Sequence, residues 1–308
     1  MIHGLLSRLL SALVVVAGVS VLVFLLIHLV PGDPVEVMLG EGARPADRVE
    51  LERALGLHQP LPVQLADYFS GLVRGDLGDS LHSRQPVMEV IAGRLPATVV
   101  LAVAALVVAL VLAVPLGLVA AVRPDSAWDS GAMTFSMVGV SIPNFVLGPL
   151  LILLFSVHLG WLPVSGWEGP ASLVLPAVTL GTAMAAILSR MVRSALLDVL
   201  GEDYIRTARA KGLDELTIVV RHGLRNAALP VITVVGLQLG TLLGGAVITE
   251  TVFAWPGIGQ LTVEAIQRRD YPVLQGCILV ISLAYVVINT LTDLAYGVLD
   301  PRVRIGTP

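Results

Sequence analysis

Lysine is almost missing from this chain: Lys211 is the only one in 308 residues. A loop that cradles nucleotide phosphates needs the form G-x-x-x-x-G-K-[ST]. Gly212 follows Lys211, so the chain cannot build that loop. Cysteine is equally scarce. Cys277 stands alone inside an apolar run, so no disulfide can form within the chain. Neither H-E-x-x-H, paired cysteines nor G-x-S-x-G occurs. The six histidines are scattered, and His28, in the first apolar run, reads as a packed or interfacial side chain. No catalytic residue, cofactor site or metal site is expected in this chain.

Charge is also low, at 14% against about 25% in soluble domains. Hydrophobic residues make up 56%, and the mean hydropathy is +0.86. These values describe an all-α, polytopic membrane protein. The net charge of −4 points to no particular partner, and nothing suggests nucleic acid.

Six uncharged runs are long enough to cross ~30 Å of hydrocarbon: Leu9–Val30, Leu95–Val122, Ala132–Val157, Ser172–Ser189, Ala227–Thr249 and Tyr271–Thr292. The first exceeds a signal-peptide core of ~7–15 residues and lacks a cleavage site, so it reads as a retained span. Pro115, Pro143, Pro149, Pro176 and Pro230 fall inside these runs, where neighbouring helices can re-satisfy the freed carbonyls.

Basic residues set the orientation. One set of ends carries Arg8, Arg123, the cluster from Arg190 to Arg225, Arg302 and Arg304. The other has no base from His158 to Pro170, and only Arg268 and Arg269 after the fifth span. Both termini are therefore expected in the cytoplasm. The expected organisation is an N-terminus 1–8, a first span 9–30, an outer loop 31–94, a five-helix core 95–298 with a cytoplasmic loop 198–226, and a tail 299–308. Within the outer loop, Asp47–Leu55 and Val63–Leu72 suit short surface helices, and Gly75–Ser80 suits tight turns.

The segment from Gly201 to Thr217 is the most informative. Glu202, Asp203, Asp214 and Glu215 mix there with Arg206, Arg209 and Lys211, between two apolar runs. Each such charge costs ~2.5–3.5 kcal/mol at the centre of a membrane helix, so the segment must project into water. The residue order predicts a helix with Tyr204, Ile205 and Ala208 on one side, a break at Gly212 with positive φ, and a second helix capped by Asp214. Leu216, Val219, Val220, Gly223 and Ala227 form the expected apolar stripe of that second helix. Physics alone also allows an amphipathic connector on a lipid surface, against which the four acids count.

Tyr204–Gly212 followed by Arg221–Pro230 resembles the cytoplasmic EAA-type loop of ABC-importer permeases. The closer resemblance is to the dipeptide/oligopeptide/nickel permease family, in its B-type branch. Pro31-Gly-Asp-Pro34, Gly75-Asp-Leu-Gly78, Pro143-Asn144, Leu159–Gly166, Thr251–Gly259 and Arg269–Pro272 agree in order and spacing. The chain departs from the general motif at Arg206, Thr207, Leu224 and Arg225, while Ala208 and Gly212 are kept.

The resemblance implies the type I importer permease fold and the permease subunit of an ATP-driven peptide importer in a bacterial plasma (inner) membrane. Its implied partners are a second, C-type permease, ABC ATPase subunits that bind ATP and magnesium, an extracytoplasmic binding protein, and membrane lipid. The implied ATPase-coupling helix comprises Asp203, Tyr204, Arg206, Thr207, Ala208, Arg209, Lys211, Gly212, Leu213 and Asp214. Dipeptides, oligopeptides, glutathione, haem and nickel all occur as cargoes of look-alike systems.

Candidate pathway or permease-interface positions are Asn144, Gln238, Thr241, Gly245 and Glu250, with Gly236, Gly240 and Gly244 as a stripe for close helix approach. The stripe could equally serve packing within this subunit. Glu250 and Asp293 mark span ends. A proton- or ion-coupled secondary transporter would need a midplane carboxylate, which neither supplies comfortably. A membrane scaffold without transport is the remaining alternative.

Overall fold

The computed structural model describes residues 2–29, 35, 44, 46, 49, 52 and 58–299. Pro31–Pro34, most of Asp47–Leu55 and the tail beyond 299 lie outside the described residues. The helices are α1 (Ile2–Leu29), α2 (Leu61–Arg74), α3 (Val87–Val122), α4 (Ala127–Ser141), α5 (Asn144–Leu151), α6 (Pro170–Leu200), α7 (Asp203–Ala210), α8 (Arg225–Val252), α9 (Ile258–Gln267) and α10 (Tyr271–Leu299). Wide π turns continue α5 through Ile152–His158 and precede α8 over Ile218–Leu224. Among the described residues the only β pairing is an isolated bridge between Asp79 and Pro86.

Most helices outrun the uncharged segments that signalled them. Alpha6, for example, extends from the expected Ser189 to Leu200, because its charged end can stand in water. Among the described residues, four helical stretches are long and apolar enough to cross a membrane: Val87–Val122, Pro170–Leu200, Glu215–Leu242 and Tyr271–Ala295. Leu13–Leu25 of α1 is a shorter apolar stretch. The third expected span is not one straight rod. It is the pair Ala127–Ser141 and Asn144–His158, bent by 100°. Pro143 explains the break, since it disfavours helical backbone at Ile142, which is extended at φ −90°, ψ 112°. Counting the bent pair as one span gives five.

The chain divides into two units. Met1–Thr98 with Pro256–Val286 forms the first. Its core joins Val87, Ile91, Ile258, Leu261, Ala265, Val273 and Cys277. Helix α9 has no capping side chain of its own; its Ile258 amide donates to Thr98 Oγ1 at 2.8 Å. In the same unit α2 stacks Tyr68 on Phe24 of α1, with centroids 5.8 Å apart. Burial pushes the Tyr68 phenol up to about 12. Tight turns follow α2, with φ +76° at both Gly75 and Gly78.

Val99–Trp255 with Val287–Pro308 forms the second unit. Here α3 shows two apolar faces of different grain. Leu101, Ala105, Ala109 and Ala113 are fully buried, whereas Val99, Val103, Val107 and Val111 are 50–65% exposed. Small residues at every fourth position admit neighbouring backbones, and the opposite valine row suits contact with lipid tails. Among the four long apolar stretches described, α6 is the most enclosed, with 61% of its apolar core stretch buried. Polar side chains join it to α4: Ser189 meets Ser136 at 2.6 Å, and Arg193 binds both carboxylate oxygens of Asp129 at 2.6 Å.

Gly236 packs on α10. A Cβ added there would fall 2.2 Å from Thr292 Oγ1, so at this position the glycine stripe serves packing within the subunit. Gly236→Val should destabilise the chain by about 1–3 kcal/mol through overpacking. Thermal unfolding in detergent, with Gly236→Ala as the milder comparison, checks the expected order.

Candidate functional site

The candidate site is a helical hairpin between α6 and α8. Alpha7 is held by its inner face: Ile205 is fully buried and Ala208 nearly so, against Ile218 and Leu200. Asp203, Tyr204, Arg206, Thr207, Arg209, Lys211, Gly212, Leu213 and Asp214 are exposed. Tyr204 is therefore turned further outward than expected, and its hydroxyl accepts from Asn226 Nδ2 at 3.0 Å.

Alpha7 stops in a left-handed turn. Gly212 has φ +81°; its amide donates to the Arg209 carbonyl at 3.0 Å, and that of Leu213 to Ala208 at 3.3 Å. This pair of bonds is the Schellman motif, which satisfies carbonyls that the helix end would leave open. The chain then restarts at Asp214, whose carboxylate accepts from the Thr217 amide at 2.9 Å. Arg209 reaches across the break and grips Glu215 through two hydrogen bonds of 2.6 and 3.1 Å. The angle between the two limbs is thus fixed by three separate devices.

Both carboxylates are held below their ordinary range, Glu215 by the Arg209 hydrogen bonds and Asp214 by hydrogen bonding to Thr217. Depressed acids stabilise the fold above their unfolded pKa and lose that effect as pH falls through the lowered value. At neutral pH both locks are closed. Asp203–Arg206, at 3.2 Å and widely exposed, adds only ~0–1 kcal/mol.

The second limb corrects the expected stripe. Ile218, Val219, Gly223 and Ala227 are buried, while Leu216 and Val220 are 71% and 49% exposed. The π turns of Ile218–Leu224 advance more than 3.6 residues per turn, so a pattern counted on α-helical spacing drifts off the packed face. Val219 and Ala227 join Ala121, Ala195 and Leu196 in one apolar cluster. The hairpin is therefore seated directly on the ends of α3 and α6.

The protein-family model described as binding-protein-dependent transport system inner membrane component matches residues 113–305. The N-terminal model of the same systems matches residues 1–102. The chain belongs to this family. It is 43% identical over 336 residues to the dipeptide transport system permease protein DppB of Escherichia coli (strain K12), covering 99% of both chains. It is 46% identical over 305 residues to the glutathione transport system permease protein GsiC of the same strain, again covering 99% of both. The fold matches inward-facing structures of the MetNI methionine ABC transporter, with TM-scores of 0.59 and 0.60 at 22% and 20% identity. Those matches cover 69% of this chain and 97% of the other.

The family's transport role directs attention to the expected pathway residues, which lie along α8 apart from Asn144 on α5. Asn144 is half-buried at the start of α5, immediately after the bend. On α8, Gly240 is buried, Gln238 half-buried, and the exposed Thr241 donates its hydroxyl to the Gln238 carbonyl. The surroundings of Gly244 and Gly245 lie outside the described residues. Glu250, two residues from the end of α8, is fully buried. Its carbonyl accepts from the Trp255 amide at 2.8 Å. Sequence reasoning missed the Asp129–Arg193 pair, counting Arg193 only as a marker of sidedness. It also missed α9, although Ile258, Leu261 and Ala265 at i, i+3 and i+7 were a readable signal.

Proposed function

We propose that the chain is the permease subunit of an ATP-driven importer for short peptides. It forms half of a transmembrane pathway, with a homologous second permease as the other half. Separate ATPase subunits bind ATP and magnesium, and an extracytoplasmic binding protein delivers cargo. Both termini and the hairpin 201–227 face the cytoplasm in this reading.

The hairpin's construction carries the proposal. It is polar outside, apolar underneath, and locked at its turn. Shifting a two-state gate from 1:99 to 99:1 takes about 5.5 kcal/mol of differential binding, which exposed ion pairs of ~0–1 kcal/mol do not supply. A stiff body seated on α3 and α6 can instead be pushed by a docked ATPase and pass the displacement inward. Leu216 and Val220, left exposed, add apolar surface for such docking.

The relatives' names favour peptide cargo, with glutathione, itself a small peptide, as the second candidate. Vesicles containing the chain with its partner permease, ATPases and binding protein test the reading. ATP-dependent uptake of labelled alanyl-alanine or glutathione is expected. Uptake that follows an imposed proton gradient without ATP would overturn it.

A further inference from the structure

The first unit holds a cleft of ≈ 380 Å³ that no step of the proposed cycle uses. Its floor is apolar, supplied by Val90, Leu261 and Val273. Its rim is fixed. Asp270, 96% buried, accepts from the Ser80 hydroxyl and from the Leu81 and His82 amides at 3.1 and 3.3 Å. Its volume falls within the roughly 300–1,000 Å³ of small-molecule sites, and nine of its fourteen lining residues are polar or charged, which suits a polar ligand.

Five charged side chains line this cleft. Asp270 is engaged by its three hydrogen bonds to Ser80, Leu81 and His82, and the other four divide as follows. Arg94 of α3 and Glu264 of α9 face each other at 3.8 Å and offset one another. Glu89 of α3 and Arg268, at the end of α9, also line the cleft, and neither has an ion-pair partner among the described residues. One unengaged acid and one unengaged guanidinium thus come from different helices over one apolar floor. A purely anionic or cationic ligand satisfies only half of this arrangement. A short zwitterion satisfies both, with its ammonium on Glu89 and its carboxylate on the planar fork of Arg268.

We infer that this cleft is a binding site for the free termini of a short peptide, at the end of the chain assigned to the outside. The inference rests on the peptide-importer reading and adds a cargo contact within the permease itself.

Equilibrium binding of labelled alanyl-alanine to the permease–ATPase complex in nanodiscs, without binding protein, tests it. Arg268→Gln and Glu89→Gln should each weaken binding about tenfold or more while the complex stays assembled. Blocking the ligand should mimic each change. Its C-terminal amide should be insensitive to Arg268→Gln, and its N-acetyl form insensitive to Glu89→Gln. The inference is overturned if the dipeptide does not bind. It also fails if free and blocked ligands respond alike to both substitutions, or if the variants alter only ATPase stimulation by the binding protein. Uptake by the complete wild-type importer, measured in parallel, separates the two levels. Uptake without cleft binding removes only this inference, whereas no uptake of any peptide removes the functional reading beneath it.

Discussion

Gly212→Val is expected to lower ATP-driven uptake at least tenfold without unfolding the chain. Gly212 sits at φ +81°, and a Cβ added there would meet no atom within 4 Å. The penalty is therefore backbone strain rather than collision. A left-handed conformation costs an ordinary L-residue roughly 1–2 kcal/mol, and for a β-branched residue it is a genuine outlier. The cheapest escape is to open the turn. That removes the Schellman bonds, separates Arg209 from Glu215 and lets α7 swing free of the second limb. Gly212→Asn provides the control, because asparagine tolerates this region. Uptake in vesicles should rank glycine, then asparagine, then valine, with ATP hydrolysis by the partner subunits continuing uncoupled. Full uptake by the valine variant would show that the hairpin need not be stiff.

The second large effect concerns stability. Asp129→Leu or Arg193→Met should each cost about 3 kcal/mol, the lower end of the 3–5 kcal/mol seen when one partner of a buried ion pair is removed. The lower end applies because the Asp129 side chain is 6% exposed and that of Arg193 is 26% exposed. Asp129 also accepts from the Asp125 amide at 3.0 Å, so its replacement loosens the turn that starts α4. Converting both residues together, Asp129→Leu with Arg193→Met, should recover most of the loss, since a matched apolar pair often replaces a buried ion pair without penalty. Thermal unfolding of the purified chain in detergent reads all three variants. Additive losses in the double variant would mean that the two side chains act independently.

The sequence was legible where a signal is local. Membrane runs show as missing charge, and helices cover them, although the third is bent and the first supplies only the shorter apolar stretch Leu13–Leu25 among the described residues. The Gly212 break and the Asp214 cap each depend on one residue's backbone or side-chain chemistry, and both are present in the structure. Signals that depend on tertiary context were not legible. Asp129 and Arg193 are 64 residues apart, and nothing periodic links them. The π turns shift the buried face of the second limb from Leu216 and Val220 toward Ile218, yet no glycine or proline within Ile218–Leu224 other than Gly223 marks them. A kink at Pro143 was legible from the proline itself, whereas the size of the bend, 100°, is not written in the apolar composition on either side. The cleft beside Asp270 joins residues from two distant chain segments, 80–94 and 261–273, which only the folded chain brings together.

Sidedness of the hairpin tests the central claim most directly. Thr207→Cys places an exposed thiol on α7, while the native Cys277 is fully buried and stays silent. A membrane-impermeant maleimide should leave this variant unlabelled in intact cells stripped of their outer barrier and label it in inverted membrane vesicles. Docked ATPase subunits should protect it there. Labelling from the outside of intact cells would put the hairpin beyond reach of any cytosolic motor and contradict the account.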